Sequence, residues 1–318
     1  TADRVAMIES AVDEGYNVIV MPGYAFGGAI VEAAPEFPDV KFIALDVAAG
    51  DLLETAVAKA GESYDYNPSN WDLNKYVDMS NVYCAVYQEE LCGYMAGYAA
   101  VKLGYKNLGF LGGMAVPAVV RYGYGFVQGV DAAAADLGLT DVSLNYVYGG
   151  QFFGDADITA VMDTWYAGGT EVVFACGGGI YTSAVDAAKK VEGAKVIGVD
   201  VDQAGVIANY AAGEGADQAT IDGYKALTVT SAMKGLYPAT YDTLTDVIIN
   251  GNWANYAGKI ATLGLVSVEQ AAQTQRGQDG RGILVGQHEG VGTGVLLHLR
   301  EEHIGQVEDD PVEHDAGD

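Results

Sequence analysis

The chain predicts an α/β protein built as two lobes, each a parallel sheet flanked by helices. Three observations predict it. Strand-like apolar runs alternate with helical stretches about eight times along the 318 residues, as parallel strands joined by right-handed crossovers require. The strand runs are continuous and rich in β-branched residues, as in VVFAC (172–176), so they belong to strands covered on both faces. Glycine-rich or polar strand ends recur in both halves of the chain. That recurrence favours two smaller sheets with facing crevices over one large sheet.

In chain order, residues 2–14 read as a helix with Val5, Ile8 and Val12 inward. A strand ending in a turn follows (15–23), then a helix (25–36) and a strand (40–46). Residues 51–78 are polar, aromatic and loop-like, with Pro68 and Trp71 inside them. A strand (81–87) leads into a helix (88–104) on which Gly93 and Gly97 would allow close approach to its sheet. Another strand (107–113) precedes a long helix, Pro117–Leu137, expected to turn Val120, Phe126, Val127, Val130 and Leu137 inward. A strand (142–148) and a helix (157–167) lead to the stretch 171–203. There a strand ends in Gly177, Gly178 and Gly179, a helix follows, Gly193 stops it, and a strand closes on Asp200. A strand (227–234) and a helix (236–250) complete the regular part. The chain is expected to cross between lobes near residues 87–88 and to return near 229–234. The first lobe then comprises 1–87 with 231–252, and the second 88–230 with 257–266.

From Ser267 the character changes. All four histidines (His288, His298, His303, His314) lie there, and the end is strongly acidic. Their spacing matches no common ligand pattern. Residues 267–318 read as a disordered tail, or as a stretch foreign to the ancestral domain such as a shifted reading frame produces.

A formal charge of −27 argues against nucleic acid, anionic lipid surfaces and highly phosphorylated ligands, all of which need a basic footprint. A neutral or weakly charged small molecule fits better. No apolar run approaches the ~18–20 residues of a membrane span. Cys84, Cys92 and Cys176 show no metal spacing and read as small buried hydrophobes. No metal site and no cofactor is expected.

Asp200 at a strand's carboxyl end, beside a glycine turn, occupies the place where open α/β sheets bind ligands. Gly177-x-Gly179-x-x-Thr182 with Asp200 about twenty residues on has the setting of a dinucleotide fingerprint, so an NAD-dependent dehydrogenase is one reading. Against it, Thr182 replaces the third glycine, and the body has no histidine for acid–base work. No Gly-x4-Gly-Lys-Ser/Thr loop and no Gly-x-Ser-x-Gly elbow is present. No catalytic residue is assigned, and a binding protein is the other reading.

Several segments carry a resemblance. They are NVIVMPGYAFGGAI (17–30), VKFIALD (40–46), VYQEELCGYMAGYAAVKLG (86–104), LGFLGGMAVPAVVRYGYGFVQG (108–129), FACGGGIYTSAVDAA (174–188), VIGVDVDQ (196–203) and TSAMKG (230–235). The most specific elements are the Glu-x3-Gly-Tyr-x-Ala-Gly-Tyr helix, the Gly-Gly-Met-Ala-Val-Pro turn and Gly-Val-Asp-x-Asp-Gln. In this order they resemble the BMP/PnrA-like family, the nucleoside-binding lipoproteins of ABC transporters, over residues 1–266.

The resemblance implies a type I periplasmic-binding fold, with two lobes joined by three crossovers and closing on the ligand. It implies a nucleoside as ligand, an ABC permease as partner, and an extracytoplasmic place held by a lipid anchor. The base would stack between aromatic rings, and carboxylate and amine groups would hold the ribose. Asp200 matches the ribose-binding aspartate, Lys234 a cleft lysine, Gly177 and Gly178 the backbone turn touching the ligand, and Asp46 a cleft carboxylate. The chemistry agrees: a vicinal diol offers two donors to one ionised carboxylate, and an ammonium offsets the buried charge. Tyr24, Phe26, Phe152 and Phe153 follow strand ends and are the candidate stacking rings. The family's first strand, its base-contacting loop and its lipobox are expected to lie before Thr1. Ala115 stands where many relatives carry an acidic residue. A sugar or signal-molecule receptor on the same fold is the remaining alternative.

Overall fold

The computed structural model describes residues 1–264 and 283–285. Its first lobe opens with α1 (Ala2–Asp13), β1 (Val18–Pro22), α2 (Gly27–Ala33), β2 (Lys41–Leu45), α3 (Ala49–Lys59), the single turn α4 (Leu73–Tyr76) and β3 (Val82–Tyr87). The chain then enters the second lobe with α5 (Glu89–Lys102), β4 (Asn107–Gly112), α6 (Pro117–Leu137), β5 (Ser143–Tyr148), α7 (Ala156–Ala167) and β6 (Val172–Cys176). Next come α8 (Tyr181–Ala188), β7 (Lys195–Asp200), α9 (Ala204–Ala212), α10 (Gln218–Tyr224) and β8 (Thr228–Lys234). It returns through α11 (Leu236–Leu244) to β9 (Ile260–Leu263), and β10 (Ile283–Val285) lies in the second sheet.

Every strand pair among the described residues is parallel. The first sheet has the order β1-β2-β3-β9 and the second β10-β8-β7-β6-β4-β5. Among the described residues the chain therefore passes between lobes three times: after Tyr87, after Lys234 and between β9 and β10. Parallel sheets need cover on both faces, and the central strands β6 and β8 are buried along their whole length.

An apolar core with Ile30, Phe42, Leu52 and Val82 fills one side of the first sheet. Another, with Met162, Val173, Val185 and Ile207, lies under α7, α8 and α9. A third is continuous across the lobes, joining Ile43, Leu45, Tyr83 and Tyr87 to Phe110, Tyr122, Phe126 and Phe174.

Several details depart from the sequence reading. Within 51–78, Leu52, Leu53, Ala56 and Val57 are buried on one face of α3, at the spacing of an amphipathic helix. Gly93 and Gly97 serve helix–helix contact instead of helix–sheet contact. A Cβ on Gly97 would lie 2.3 Å from the Phe126 carbonyl oxygen, and one on Gly129 would lie 1.9 Å from that of Tyr94. Val120 and Leu137 are exposed, whereas Val119, Tyr122 and Phe126 face the core.

Strand pairing also shifts the lobe boundaries. Residues 231–234 complete β8 in the second sheet, and Ile260–Leu263 pairs with β3 in the first. Near-complete burial of β3 demands a neighbour on each side, and β9 supplies the second. Ile283–Val285, inside the stretch expected to be unstructured, pairs with Ala232–Lys234. The other expectations for 267–318, the histidines included, lie outside the described residues.

Candidate ligand-binding cleft

The carboxyl ends of strands from both sheets face one cleft, the kind of concave site in which small molecules bind. The first lobe lends Gly23 and Tyr24 after β1, Asp46 after β2, and Ala48 and Asp51 at the start of α3. The second lends Val116 before α6, Pro117, Ala118, Val119, Arg121 and Tyr122 of α6, Phe152 after β5, Gly177 and Gly178 after β6, Asp200 ending β7 and Lys234 ending β8.

The two lobes repeat one device. Gly23 (φ 123°) and Gly177 (φ 133°) turn the chain out of β1 and β6 in conformations that favour glycine. One strand further, Asp46 (φ 64°) and Asp200 (φ 66°) end β2 and β7 in the left-handed region. Aspartate tolerates that region better than most residues, at a cost of about 1–3 kcal/mol. The strain is kept where it aims two carboxylates, one from each lobe, at a common point.

That point is the Lys234 ammonium. Its side chain is 5% exposed, it hydrogen-bonds to Asp46 Oδ2, and it lies 3.3 Å from Asp200 Oδ1 and 3.6 Å from Glu89 Oε1. The rings of Tyr87 and Tyr122 have their centroids 5.8 and 5.7 Å from Nζ, within cation–π range. Burial works against the charged ammonium, but Asp200, Asp46 and Glu89 together outweigh it and raise the lysine pKa above its ordinary value. Glu89 is fully buried, and its Oε2 accepts a 2.5 Å bond from Arg121 Nε. Burial pushes this carboxyl upward, while Lys234 and Arg121 pull it back. Asp46 Oδ1, Glu89 Oε1 and the Tyr87 hydroxyl are buried with no hydrogen-bond partner among the described residues. Such groups are costly unless a donor or acceptor reaches them.

The aromatic wall pairs Tyr24 of the first lobe with Phe152 of the second, ring centroids 6.0 Å apart and planes inclined by 53°. Phe152 lies against the glycine turn, where a Cβ on Gly177 would come within 2.8 Å of its ring. Phe153 forms a bridge to Gly179 and is 62% exposed. Phe152 lines the cleft and Phe153 does not. Phe26 also lies outside the cleft lining. It packs on the first-lobe core, with the Arg4 guanidinium 5.4 Å from its ring centroid. Of the sequence candidates, Tyr24, Asp46, Phe152, Gly177, Gly178, Asp200 and Lys234 therefore line one cleft.

Glu89, Arg121 and Asp51 escaped the sequence reading. Glu89 sat inside a quoted motif, and Arg121 is the only arginine between Arg4 and Arg276. Either fact was a usable signal. Among the described residues, no group of His, Cys, Asp and Glu is arranged to hold a metal ion, and none of the helices is long and apolar enough to cross a membrane.

Residues 1–267 match the family described as ABC transporter substrate-binding protein PnrA-like. The nucleoside-binding protein BmpA of an ABC transporter in Lactococcus lactis subsp. cremoris (strain MG1363) is 27% identical over 64% of this chain and 51% of its own length. Basic membrane protein B of Borreliella burgdorferi is 24% identical over 82% of this chain and 64% of its own. The chain thus spans about half to two-thirds of the length of these relatives. Two solved ABC solute-binding proteins share the fold. The one from Aeropyrum pernix K1 has TM-score 0.57 and 20% identity over 83% of this chain and 62% of that one. The one from Conexibacter woesei DSM 14684 has TM-score 0.54 and 21% identity over 86% and 80%. Two parallel α/β lobes crossed three times by the chain are the type I periplasmic-binding fold, and with the match over residues 1–267 the chain belongs to the PnrA-like family of ABC transporter substrate-binding proteins.

Proposed function

We propose that the chain captures a nucleoside between its lobes and delivers it to the permease of an ABC importer, outside the cytoplasm and held to the membrane by a lipid anchor. The observation that carries this reading is the convergence of Asp46 and Asp200, from opposite lobes, on Lys234. A ribose diol donates to such carboxylates, and Lys234 donates to its oxygens and balances their charge. Because one carboxylate belongs to each lobe, a diol held by both ties the lobes together, and capture is lobe closure rather than bond chemistry. Tyr24 and Phe152 supply faces on which a base stacks. Four carboxylates (Asp46, Asp51, Glu89, Asp200) surround two cations in or beside the cleft, which disfavours phosphorylated ligands.

A free sugar is the second reading, since the same carboxylates and ammonium suit its hydroxyls. The aromatic pair favours a ligand bearing a flat ring. For a dehydrogenase, Asp200 would serve a crevice within one lobe, whereas its partner here is the lysine of the interlobe cleft. Calorimetric titration with inosine, ribose and NADH separates the three. Nucleoside capture predicts saturable heat with inosine, weakened about tenfold to a hundredfold by Asp200→Ala, the size of a charge-assisted hydrogen bond. Heat with ribose or NADH alone overturns it.

A further inference from the structure

Beyond the Asp46–Lys234–Asp200 cluster, the cleft carries a second polar pair that the diol does not use. Asp51 stands in the first turn of α3, and its Oδ2 accepts a 2.7 Å bond from the Ala48 backbone N–H. Close packing places this turn beside Tyr24: a Cβ on Gly27, at the end of the Tyr24–Phe26 turn, would lie 2.5 Å from the Asp51 carbonyl oxygen. Arg121 reaches the same cleft from α6. Its Nε is taken by Glu89, and its terminal nitrogens donate to nothing else among the described residues. Asp51 Oδ1 likewise accepts no bond among them.

Resting on the nucleoside reading, we propose that Asp51 and Arg121 form a specificity-determining pair for the ring edge of the ligand, selecting a 6-oxopurine, which presents a ring N–H beside a carbonyl oxygen. An ionised Asp51 has only acceptor atoms and Arg121 only donors. Together they match the N–H and the oxygen of hypoxanthine or guanine. Adenine offers the reverse order, an acceptor nitrogen beside a donor amine, and leaves both groups facing their like.

The pair is also sensitive to pH. Burial raises the Asp51 carboxyl from 3.8 to about 6, the Ala48 N–H lowers it, Glu54 of the same helix and Asp46 from β2 raise it, and Arg121 from α6 lowers it. Tyr64, from the segment after α3, and Cys84, on β3, also feel its charge. Below that value Asp51 keeps Oδ2 on Ala48 and offers a hydroxyl donor, which suits adenine.

Titrating the full chain with inosine and adenosine at pH 7.5 and at pH 5 tests this, alongside Asp51→Asn. The asparagine carbonyl replaces the acceptor to Ala48 and turns its amide donors to the ligand. Wild-type protein is expected to prefer inosine by about tenfold or more at pH 7.5, the discrimination that a good two-point pairing gives between bases. The preference should shrink at pH 5, and Asp51→Asn should abolish or invert it at pH 7.5. Equal affinities, a ratio indifferent to pH, or a variant that weakens both ligands alike overturns the assignment while leaving nucleoside capture standing. Absence of binding by either nucleoside overturns both.

Discussion

Lys234 carries the charge balance of the cleft, so its removal has effects beyond the ligand. Three carboxylates face it from three elements, and without the ammonium they repel one another in a buried space. Lys234→Ala is therefore expected to cost about 3–5 kcal/mol of folding stability, the usual loss when one partner of a buried ion pair is deleted; chemical denaturation measures it. Asp51 acts in the opposite sense. Its pKa is raised from 3.8 to about 6, so the folded state holds a proton that the unfolded chain releases. Stability is lost as pH rises through this window, by about 1–3 kcal/mol once both states are ionised. Asp51→Asn should accordingly raise the melting temperature of ligand-free protein above pH 6 and leave it unchanged below about pH 4. These residues also differ in how readable they were. Asp200 ends a strand beside a glycine turn, so local sequence alone marked it as a candidate, whereas Lys234 was reached through the family resemblance. Glu89, Arg121 and Asp51 stand in the first two turns of helices, and only long-range packing brings them to the cleft. Phe152 and Phe153 share one loop, and sequence could not tell which ring turns inward before the Phe153–Gly179 bridge was known.

At the scale of elements, the tight crossing of α5 and α6 positions the Glu89–Arg121 pair. Gly93 and Gly97 on one helix meet Gly125 and Gly129 on the other, and a Cβ at any of the four would fall within 2.3 Å of a carbonyl oxygen. Gly97→Ala must push the helices apart or bend them. Overpacking of this kind typically costs about 1–3 kcal/mol, and here it should also weaken ligand binding by displacing Arg121. Denaturation and titration of the same variant give the two numbers. Strands with continuous apolar runs, such as β3 and β6, could be read directly, because burial on both faces leaves them without polar alternation. β9 could not. It is four residues long with only Leu263 buried, and it takes its place from the unpaired side of β3. α3 was hidden for a different reason: its apolar stripe is short and runs into the aromatic segment of Tyr64, Tyr66, Trp71 and Tyr76, whose rings pack on one another.

For the whole molecule, two lobes repeat one geometry, a positive-φ glycine after one strand and a left-handed aspartate after the next, and the ligand is expected to join the two copies. Closure around a nucleoside should lower the radius of gyration measured by small-angle scattering, and Asp46→Ala should blunt that change while leaving each lobe folded. Parallel α/β sheets followed from alternation of strand and helix and the two lobes from the recurring glycine-rich strand ends, but how the lobes share strands did not, because β8 and β9 lie on opposite sides of a crossing that only pairing reveals. The most direct measurement of the central claim is a double-mutant cycle on the diol: calorimetric affinities of wild type and Asp200→Ala for inosine and 2′,3′-dideoxyinosine. Gripping of the diol by Asp200 predicts that wild type loses about tenfold to a hundredfold on removal of the hydroxyls and that Asp200→Ala loses far less. Equal binding of the two ligands by wild type, or an undiminished loss in the variant, would contradict it.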